Sequence, residues 1–449
     1  MLDRILPRAV RARLAGRPTL QRIINNTGWL FADKIIRMGV GLFVVGWVAR
    51  YLGPAQFGIL NYATAFIAIF TAVAGLGLDS IVVRDIVREP GAAEEILGTA
   101  FCSKLLAGLA TAALTVGVIY VIKPGDTVTV TMVAILSLTM IFNSMDVIDF
   151  WFQSLVQSWS TVIARNAAFI LASLATLGLF FFKAPLMAFA GIRTLEIALG
   201  AVGLGIVYKR SGKSMRTWRV AIPRLNQLLS DSWPLILSSM AIMIYIRIDQ
   251  IMLGEMVGNA AVGQFSAAVR VSEVWYFIPT SFVNSAFPAI VEAKNVSNDL
   301  YYGRLQRLSN ALFLVSLSIA IPMSFLSGHV TKFIFGQQYA QAGSVLAVYI
   351  WAALFVFLGV VRRSWVNTEG LMKYTFIYTS MGAVLNIVLN FFFIRKWGMM
   401  GSAYATLISH FFAAVGFNIL FAKTRPIFFI QMNSLFFLGL RKKAMTKFI

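Results

Sequence analysis

The 449-residue sequence has few of the residues that build redox or metal sites. It contains one cysteine, Cys102, and two histidines, His329 and His410, which lie about 80 residues apart. A single cysteine excludes a disulfide framework and a cysteine-based metal cluster. Gly212-Lys213-Ser214 resembles the end of a phosphate-binding loop, but Val207 occupies the position where that motif requires glycine. The sequence therefore predicts no metal site, no cofactor and no nucleotide-hydrolysing motor.

Charged residues are also scarce, at 13% of the chain, whereas soluble domains carry about 25%. Hydrophobic residues make up 59%, and the mean hydropathy is +0.77. This composition predicts an all-α polytopic membrane protein. The net charge of +21 would indicate a nucleic-acid partner if it lay on a soluble surface. Here the cations cluster in loops between apolar segments, so no nucleic acid is expected.

Twelve segments are long and apolar enough to cross a bilayer, which requires about 20 residues. They cover residues 27–50, 57–78, 97–122, 128–152, 160–182, 185–208, 233–254, 262–290, 308–328, 341–365, 373–394 and 398–421. The loops on one side, together with the span ends beside them, hold 26 Lys and Arg, and those on the other side hold 6. Because cytoplasmic loops carry the excess of cations, both termini are predicted to be cytoplasmic. No predicted outer loop exceeds about 15 residues, which disfavours a membrane glycosyltransferase or polymerase, and no enzyme is expected.

The most basic loop separates two sets of six spans that resemble each other. Leu52-Gly53 is followed by Phe57-Gly58, and Leu253-Gly254 is followed by Val262-Gly263, about 200 residues later. Two parallel six-helix repeats of this kind occur in transporters. The predicted organisation is a basic cytoplasmic arm (1–22), an N-terminal lobe (23–208), a basic linker (209–232), a C-terminal lobe (233–425) and an amphipathic basic cytoplasmic tail (426–449).

Several cations lie within the predicted spans, where a central charge costs roughly 2.5–3.5 kcal/mol. Such charges usually face a bundle interior or a wet cavity, and arginine suits phosphate because its planar fork binds two oxygens. A cation pump would instead show an excess of acids. The predicted substrate-binding residues are Arg37, Arg247, Arg270, Arg165 and Arg84. The competing interpretation is a set of structural ion pairs, with Lys104 and Arg193 extending to the membrane surface.

Acidic residues accompany these cations and are predicted to pair with them or to bind a coupling ion. They are Asp33, Asp249, Glu273, Asp146 and Asp149. Asp33 and Arg37 share a helix face at i,i+4, and Arg270 and Glu273 do so at i,i+3. Arg247 and Asp249 are two residues apart, so each is expected to reach a neighbouring helix. Asp146 and Asp149 have no cation beside them and are expected to pair with an arginine across the bundle.

Three strings resemble Wzx-type polysaccharide flippases, a family related to MATE exporters and the lipid II flippase. The first, at residues 48–58, reads Val-Ala-Arg-Tyr-Leu-Gly-Pro-Ala-Gln-Phe-Gly, and the second joins Leu76-Gly77-Leu78 to Val83-Arg84-Asp85. The third runs from Asp249 to Gly254 and continues at Val262 to Ala268. The pattern covers nearly the whole chain, and the resemblance implies about twelve transmembrane helices in two pseudo-symmetric six-helix lobes.

The resemblance further implies translocation of an undecaprenyl-pyrophosphate-linked oligosaccharide across the bacterial inner membrane, by alternating access and for surface polysaccharide biosynthesis. Family members are thought to hold the headgroup in a cationic cavity. Expected partners are the lipid-linked oligosaccharide, membrane lipids, a polysaccharide polymerase and a chain-length regulator. The driving force is either H⁺ or Na⁺ coupling or the gradient of the lipid-linked sugar, and the sequence does not choose among them. A MATE-like cation-coupled exporter remains the alternative among transporters, and a membrane glycosyltransferase remains the alternative outside them.

Overall fold

The computed structural model describes residues 18–436, with side chains given from Met38 onward. All regular structure in this range is helical, as the composition predicts. The helices are α1 (Pro18–Ala74), α2 (Asp79–Arg88), α3 (Ala93–Ile122), α4 (Thr127–Phe142), α5 (Val147–Ser154), α6 (Trp159–Phe181), α7 (Leu186–Arg210), α8 (Ile222–Met256), α9 (Asn259–Glu273), α10 (Phe277–Val296), α11 (Asn298–Phe335), α12 (Ala340–Tyr349), α13 (Ala352–Thr368), α14 (Met372–Ala414) and α15 (Arg425–Leu435).

Twelve membrane spans can be counted in the described residues. Nine helical segments are long and apolar enough to cross a membrane, and a pair bent by 46°, Gln337–Tyr349 with Ala352–Thr368, makes a tenth. Two of the nine, Met38–Arg88 and Met372–Ile419, are 51 and 48 residues long. Each contains a non-helical residue, Gly53 or Gly398. Because a span needs only about 20 residues, each of these two segments holds two spans, and the predicted number is confirmed.

The two halves of the chain share their turn conformations. Four turn positions with positive φ correspond between the halves: Gly53, Gly125, Val156 and Lys183 in the first, and Gly258, Gly336, Gly370 and Gly398 in the second, whereas Leu76, Gly77 and Gly212 have no counterpart among the described residues. In each half the four positions follow the first, third, fourth and fifth spans. This agreement supports the six-helix repeat that the sequence motifs predict, because chance similarity in apolar segments would not reproduce the turns.

The second and fourth spans of each half are interrupted. The breaks fall at residues 75–78 and 143–146 in the first half, and at residues 274–276 and 350–351 in the second. Asp146 is the last residue of the interruption at residues 143–146, and Glu273 directly precedes the interruption at residues 274–276. Residues 143–146 and 274–276 are 3-10 helical turns within otherwise continuous helical segments, and among the described helices a bend of 46° occurs at residues 350–351. Two of the predicted acidic residues therefore lie at 3-10 turns inside spans.

The chain divides into two compact units. Unit 1 comprises Met1–Val48 and Ala63–Met240, and unit 2 comprises Ala49–Tyr62 and Ala241–Ile449. The apolar core of unit 1 includes Leu97, Phe152 and Tyr208. The core of unit 2 includes Phe357 and Trp365. The connection between α7 and α8 is shorter than the predicted linker, because α7 ends at Arg210 and α8 already begins at Ile222.

The segment Ala49–Tyr62 belongs to unit 2 although it lies in the first sequence half. The Arg50 guanidinium donates to the carbonyl oxygens of Ile334, at 3.0 Å, and of Phe333, at the C-terminal end of α11. The Tyr339 hydroxyl donates to the carbonyl of Ala49 at 3.0 Å. A cation at a helix C-terminus satisfies carbonyls that have no partner within the helix. The segment is therefore held by specific hydrogen bonds within unit 2.

The C-terminal helix α15 is also integrated into unit 2. Ile427, Ile430 and Gln431 are buried, and the Gln431 amide donates to the carbonyls of Leu358 (3.1 Å) and Ala414 (3.0 Å). This part of the predicted tail differs from an amphipathic helix that lies only on the membrane surface. Residues 437–449 of the tail, and most of the predicted arm at residues 1–22, lie outside the described residues.

Candidate functional site

A buried carboxylate lies in the middle of unit 2. Asp249 of α8 is 3% exposed, and its two oxygens accept hydrogen bonds from Asn390 Nδ2 and Thr406 Oγ1, both at 2.6 Å. Both donors lie on α14, so Asp249 reaches a neighbouring helix as its spacing from Arg247 predicts. Within the described range, Asp249 forms no ion pair. A buried carboxylate without a cationic partner is costly unless it binds a proton or a cation.

The surroundings of Asp249 are rich in oxygen atoms. Asn390 Nδ2 also donates to Asn386 Oδ1 at 3.0 Å, and Asn386 Nδ2 donates to Ser409 Oγ at 3.1 Å. The Oδ1 atom of Asn390 is buried and accepts no hydrogen bond among the described residues. Carboxylate, amide and hydroxyl oxygens are the ligands that hard cations prefer. This arrangement can therefore hold a proton or a small cation; it does not contain the cluster of His, Cys and acidic residues typical of transition-metal sites.

Arg247 lies two residues before Asp249 and faces a different helix. Its Nη1 atom lies 3.6 Å from Glu273 Oε1, at the end of α9, and both side chains are about one quarter exposed. Guanidinium has five N–H donors. Arg247 forms no other ion pair and no side-chain hydrogen bond within the described part of the chain. Its guanidinium therefore retains donors that can bind an anion.

The other predicted residues of this group are only partly located by the structure. Arg270 is half-buried in the last turn of α9, one turn before Glu273. The carboxylate of Glu273 lies near Arg247, which belongs to α8. The partner that the i,i+3 spacing suggests, Arg270, belongs to α9, the helix of Glu273 itself. The side chains of Asp33 and Arg37 lie outside the described residues. Arg247 and Arg270 are thus the predicted substrate-binding residues that unit 2 contains.

In unit 1, Arg165 of α6 is engaged by two acids. Its Nη2 atom lies 2.9 Å from Asp146 Oδ1 and 3.4 Å from Asp149 Oδ2. Gln153 Nε2 also donates to Asp149 at 3.0 Å. The expectation that the two acids pair with an arginine across the bundle is confirmed. Arg165 would have to exchange these carboxylates for a substrate anion before it could bind one.

Arg84 and Arg224 form ion pairs at the ends of the unit 1 helices. Arg84 lies 2.8 Å from Asp85 and 2.6 Å from Asp231. Arg224 Nη2 donates to Glu89 Oε2 at 2.5 Å, and this hydrogen bond holds the pKa of the Glu89 carboxyl below its usual value. The stabilisation is present above the pKa of unfolded glutamate and is lost as the pH falls through the lower, folded value. Arg84, like Arg165, already has two carboxylate partners.

Two of the intramembrane cations were interpreted as residues that extend to the membrane surface, and this is wrong for Lys104. Lys104 is 3% exposed, and its ammonium lies 4.8 Å from the centroid of the Phe150 ring. A cation over an aromatic face is stabilised by the ring quadrupole, which compensates part of the lost hydration. Arg193 is half exposed and pairs with Glu196 at 2.6 Å, as their i,i+3 spacing predicts.

The sequence interpretation missed several polar residues of unit 2. Asn386 and Asn390 lie in a predicted span at i,i+4 spacing, which is the signal that could have identified them. Arg362, near the end of the predicted span at residues 341–365, is a further one: it is 7% exposed within α13 and donates to the carbonyl of Ala413. No pattern in the sequence distinguishes Arg362 from its exposed neighbour Arg363.

Comparison with protein families identifies two matching regions. The family model described as "Polysaccharide biosynthesis protein" matches residues 23–294, and the MatE model matches residues 234–392. A putative O-antigen transporter of Shigella flexneri is 20% identical over 404 residues, which cover 85% of this chain and 93% of that protein. A probable flippase, AglR of Haloferax volcanii, is 27% identical over 233 residues. That match covers 49% of this chain and about half (46%) of the length of AglR.

Solved structures share the fold at low sequence identity. An inward-facing multidrug-resistance transporter of the MATE family has a TM-score of 0.71 at 13% identity, covering 92% of this chain and 99% of that one. The lipid II flippase MurJ in an inward closed conformation has a TM-score of 0.68 at 17% identity, covering 93% and 92%. These similarities establish the fold of a multi-pass membrane protein. Since the first family model matches more than half of its residues, the chain belongs to the polysaccharide biosynthesis protein family.

Proposed function

We propose that this protein is a flippase that moves an undecaprenyl-pyrophosphate-linked oligosaccharide between the leaflets of the bacterial inner membrane. The single observation that carries this proposal is Arg247, an intramembrane guanidinium whose one ion pair among the described residues, with Glu273, spans 3.6 Å. Family membership and the names of the two relatives, a probable flippase and a putative O-antigen transporter, support the class of cargo. They give no support to a membrane glycosyltransferase.

Arg247 would bind the pyrophosphate, and Arg270 would assist from α9. Pyrophosphate offers paired oxygens that match the planar fork of guanidinium, so binding would replace one long ion pair by shorter charge-assisted hydrogen bonds. In the absence of substrate, Glu273 compensates the charge of Arg247 and thereby lowers the cost of keeping it inside a span. Substrate binding would release Glu273, which lies beside the 3-10 turn at residues 274–276, where α9 joins α10. Breakage of this ion pair would therefore couple binding to a change at the turn.

Asp249 would hold the coupling ion, either H⁺ or Na⁺. Its carboxylate is buried, accepts hydrogen bonds from neutral donors alone within the described part of the chain, and lies two residues from Arg247 on the same helix. A cation that neutralises Asp249 changes the electrostatic field at Arg247, and by linkage the two ligands then affect each other's affinity equally. This reciprocity gives a test of coupling that needs no knowledge of the sugar structure.

The proposed function can be tested in proteoliposomes that contain a fluorescent undecaprenyl-pyrophosphate oligosaccharide. Quencher accessibility reports movement between leaflets for the parent protein, Arg247→Ala, Arg247→Lys and the control Arg193→Gln, which removes a half-exposed arginine. We expect transport by the parent and by the control, none by the alanine variant, and intermediate transport by the lysine variant because it keeps the charge and loses the fork. A parent protein that moves no lipid would refute the proposal.

A MATE-like exporter is the second candidate, favoured by the MatE match at residues 234–392. The same vesicles, loaded with a cationic fluorescent drug and given a Na⁺ or H⁺ gradient, discriminate between the two. Drug efflux without lipid movement would replace the flippase proposal. The intramembrane arginines favour an anionic cargo instead.

A further inference from the structure

Unit 2 contains a second buried charge that the proposed mechanism does not use. The guanidinium of Arg362 is 7% exposed, donates to the carbonyl of Ala413 and lies 5.5 Å above the Tyr378 ring. Its Nε atom is buried without a hydrogen-bond acceptor in the described part of the chain. The charged and titratable groups beside it are Arg363, Tyr245 and Tyr378, and within the described residues it forms no ion pair with a carboxylate. An uncompensated buried guanidinium is costly and calls for a functional explanation.

Arg362 and Asp249 contact α14 at two different heights, and we call the side chains that lie between and around them the column. On the second arm of α14, Thr406 donates to Asp249 and Ala413 accepts from Arg362. These residues are seven positions apart, which corresponds to about 10 Å along a helix. On the first arm, Asn390 and Asn386 border the acid, whereas Tyr378 borders the arginine.

An aromatic pair occupies the level between the two charges. Tyr245, one turn before Asp249 on α8, stacks on His410 with ring centroids 4.9 Å apart and planes at 25°. His410 Nδ1 lies 2.9 Å from the carbonyl oxygen of Thr406, to which it can donate, and this contact fixes the ring. Gly382 provides the space, since a Cβ at this position would lie 3.2 Å from the Tyr245 ring. The stacked rings therefore separate the carboxylate from the guanidinium.

We propose that Arg362 is an electrostatic barrier and the Tyr245–His410 pair a plug, which together close the cation site of Asp249 on the side of unit 2 where α13 ends. With the predicted topology this is the cytoplasmic side. The inference rests on the proposed function, in which Asp249 carries the coupling ion. A cation that leaves Asp249 past His410 meets a fixed positive charge at low dielectric, which slows its passage by about tenfold or more. Uncoupled leakage across the membrane is thereby suppressed, and Arg362 determines the sign of charge excluded from this end of the column.

The barrier can be tested without any saccharide lipid. Proteoliposomes with an inside-negative potassium diffusion potential are followed by ²²Na⁺ uptake and, separately, by an internal pH dye. The variants are Arg362→Gln, Arg362→Lys and the matched control Arg363→Gln, which removes the adjacent exposed cation. We expect Arg362→Gln to admit Na⁺ or H⁺ about tenfold or more faster than the parent. Arg363→Gln and Arg362→Lys should remain at the level of the parent.

The path is tested by the double variant Asp249→Asn with Arg362→Gln, which should return the leak to the level of the parent. A leak unchanged in the double variant would overturn the proposal, and so would a monodisperse Arg362→Gln protein that leaks no faster than Arg363→Gln. If Arg362→Gln does not fold, His410→Ala and His410→Phe decide. Removal of the ring should open the column and the phenyl ring should keep it closed, whereas equal leaks would refute the plug.

The two proposals can fail separately. A parent protein that moves no saccharide lipid while Arg362→Gln leaks through Asp249 would retain the barrier and refute the cargo. Lipid movement by the parent, with no added leak in any variant, would retain the flippase and refute the barrier.

Discussion

Gly58 and Gly263, which occupy the same position in the two sequence repeats, cross each other at backbone contact distance within unit 2. A Cβ on Gly58 would lie 1.7 Å from the carbonyl oxygen of Asn259 and 3.1 Å from the amide nitrogen of Gly263. A Cβ on Gly263 would lie 2.0 Å from the carbonyl oxygen of Pro54. The repeated motif therefore has a packing function, because each copy supplies the glycine that the other needs.

Substitution of either glycine by alanine is expected to destabilise the protein. The new methyl group would meet backbone atoms, which cannot move as a side-chain end can, so the cost should be about 1–3 kcal/mol. Thermal unfolding in detergent measures the effect. Gly117→Ala is the matched control, because this helical glycine has no atom within 4 Å of an added Cβ. An unchanged unfolding temperature for both Gly58→Ala and Gly263→Ala would contradict the crossing.

Val156 and Gly370 occupy corresponding turns and predict opposite effects on stability. Val156 has a φ of 56°, which is strained for a β-branched residue, and Gly370 has a φ of 68°. Val156→Gly should stabilise the fold and Gly370→Val should destabilise it, each by about 1–2 kcal/mol. Thermal unfolding of the two variants side by side measures both shifts, and equal signs would show that the turns are not equivalent.

The oxygen cluster around Asp249 predicts which substitutions abolish ion dependence. Asp249→Asn removes the only buried charge of the cluster and should eliminate the dependence of lipid movement on Na⁺ or pH. Asn390→Leu keeps the carboxylate but removes a donor at 2.6 Å and an unsatisfied oxygen. It should weaken the apparent Na⁺ affinity by about tenfold, because an oxygen ligand is lost. The apparent H⁺ affinity should not fall, because the lost donor stabilised the charged carboxylate. Transport measured against cation concentration tests both, and unchanged dependence in Asp249→Asn would exclude this residue as the ion carrier.

The Arg165 network predicts a stability effect that depends on its partners. Arg165→Met leaves Asp146 and Asp149 without their cation and should lower the free energy of unfolding by about 1–3 kcal/mol. The partial exposure of all three groups reduces this loss, because water screens the charges. The triple variant that also carries Asp146→Asn and Asp149→Asn should recover most of this loss. Thermal unfolding of the single and triple variants provides the comparison. If the triple variant is no more stable than the single one, the arginine contributes by packing rather than by charge.

The composition and the lengths of the apolar segments predicted the class of fold and the number of spans, because the length of a span follows from the thickness of the bilayer. Side-chain environments within the spans were less predictable. Lys104 and Arg193 look alike in sequence, yet one is buried over Phe150 and the other is half exposed beside Glu196. The difference depends on which residues of other helices lie opposite, and one sequence does not specify this.

The hydrogen bonds of the segment Ala49–Tyr62 also constrain the order of events during synthesis. Ala49 accepts from a tyrosine that is translated 290 residues later. At a synthesis rate of roughly 5–20 residues per second, about 15–60 s pass between the synthesis of this segment and the synthesis of Tyr339. During that interval the groups that later hold Arg50 do not exist. Unit 2 therefore needs the segment Ala49–Tyr62 from the first half of the sequence. When the two halves are produced as separate polypeptides, unit 2 should form only if both are present.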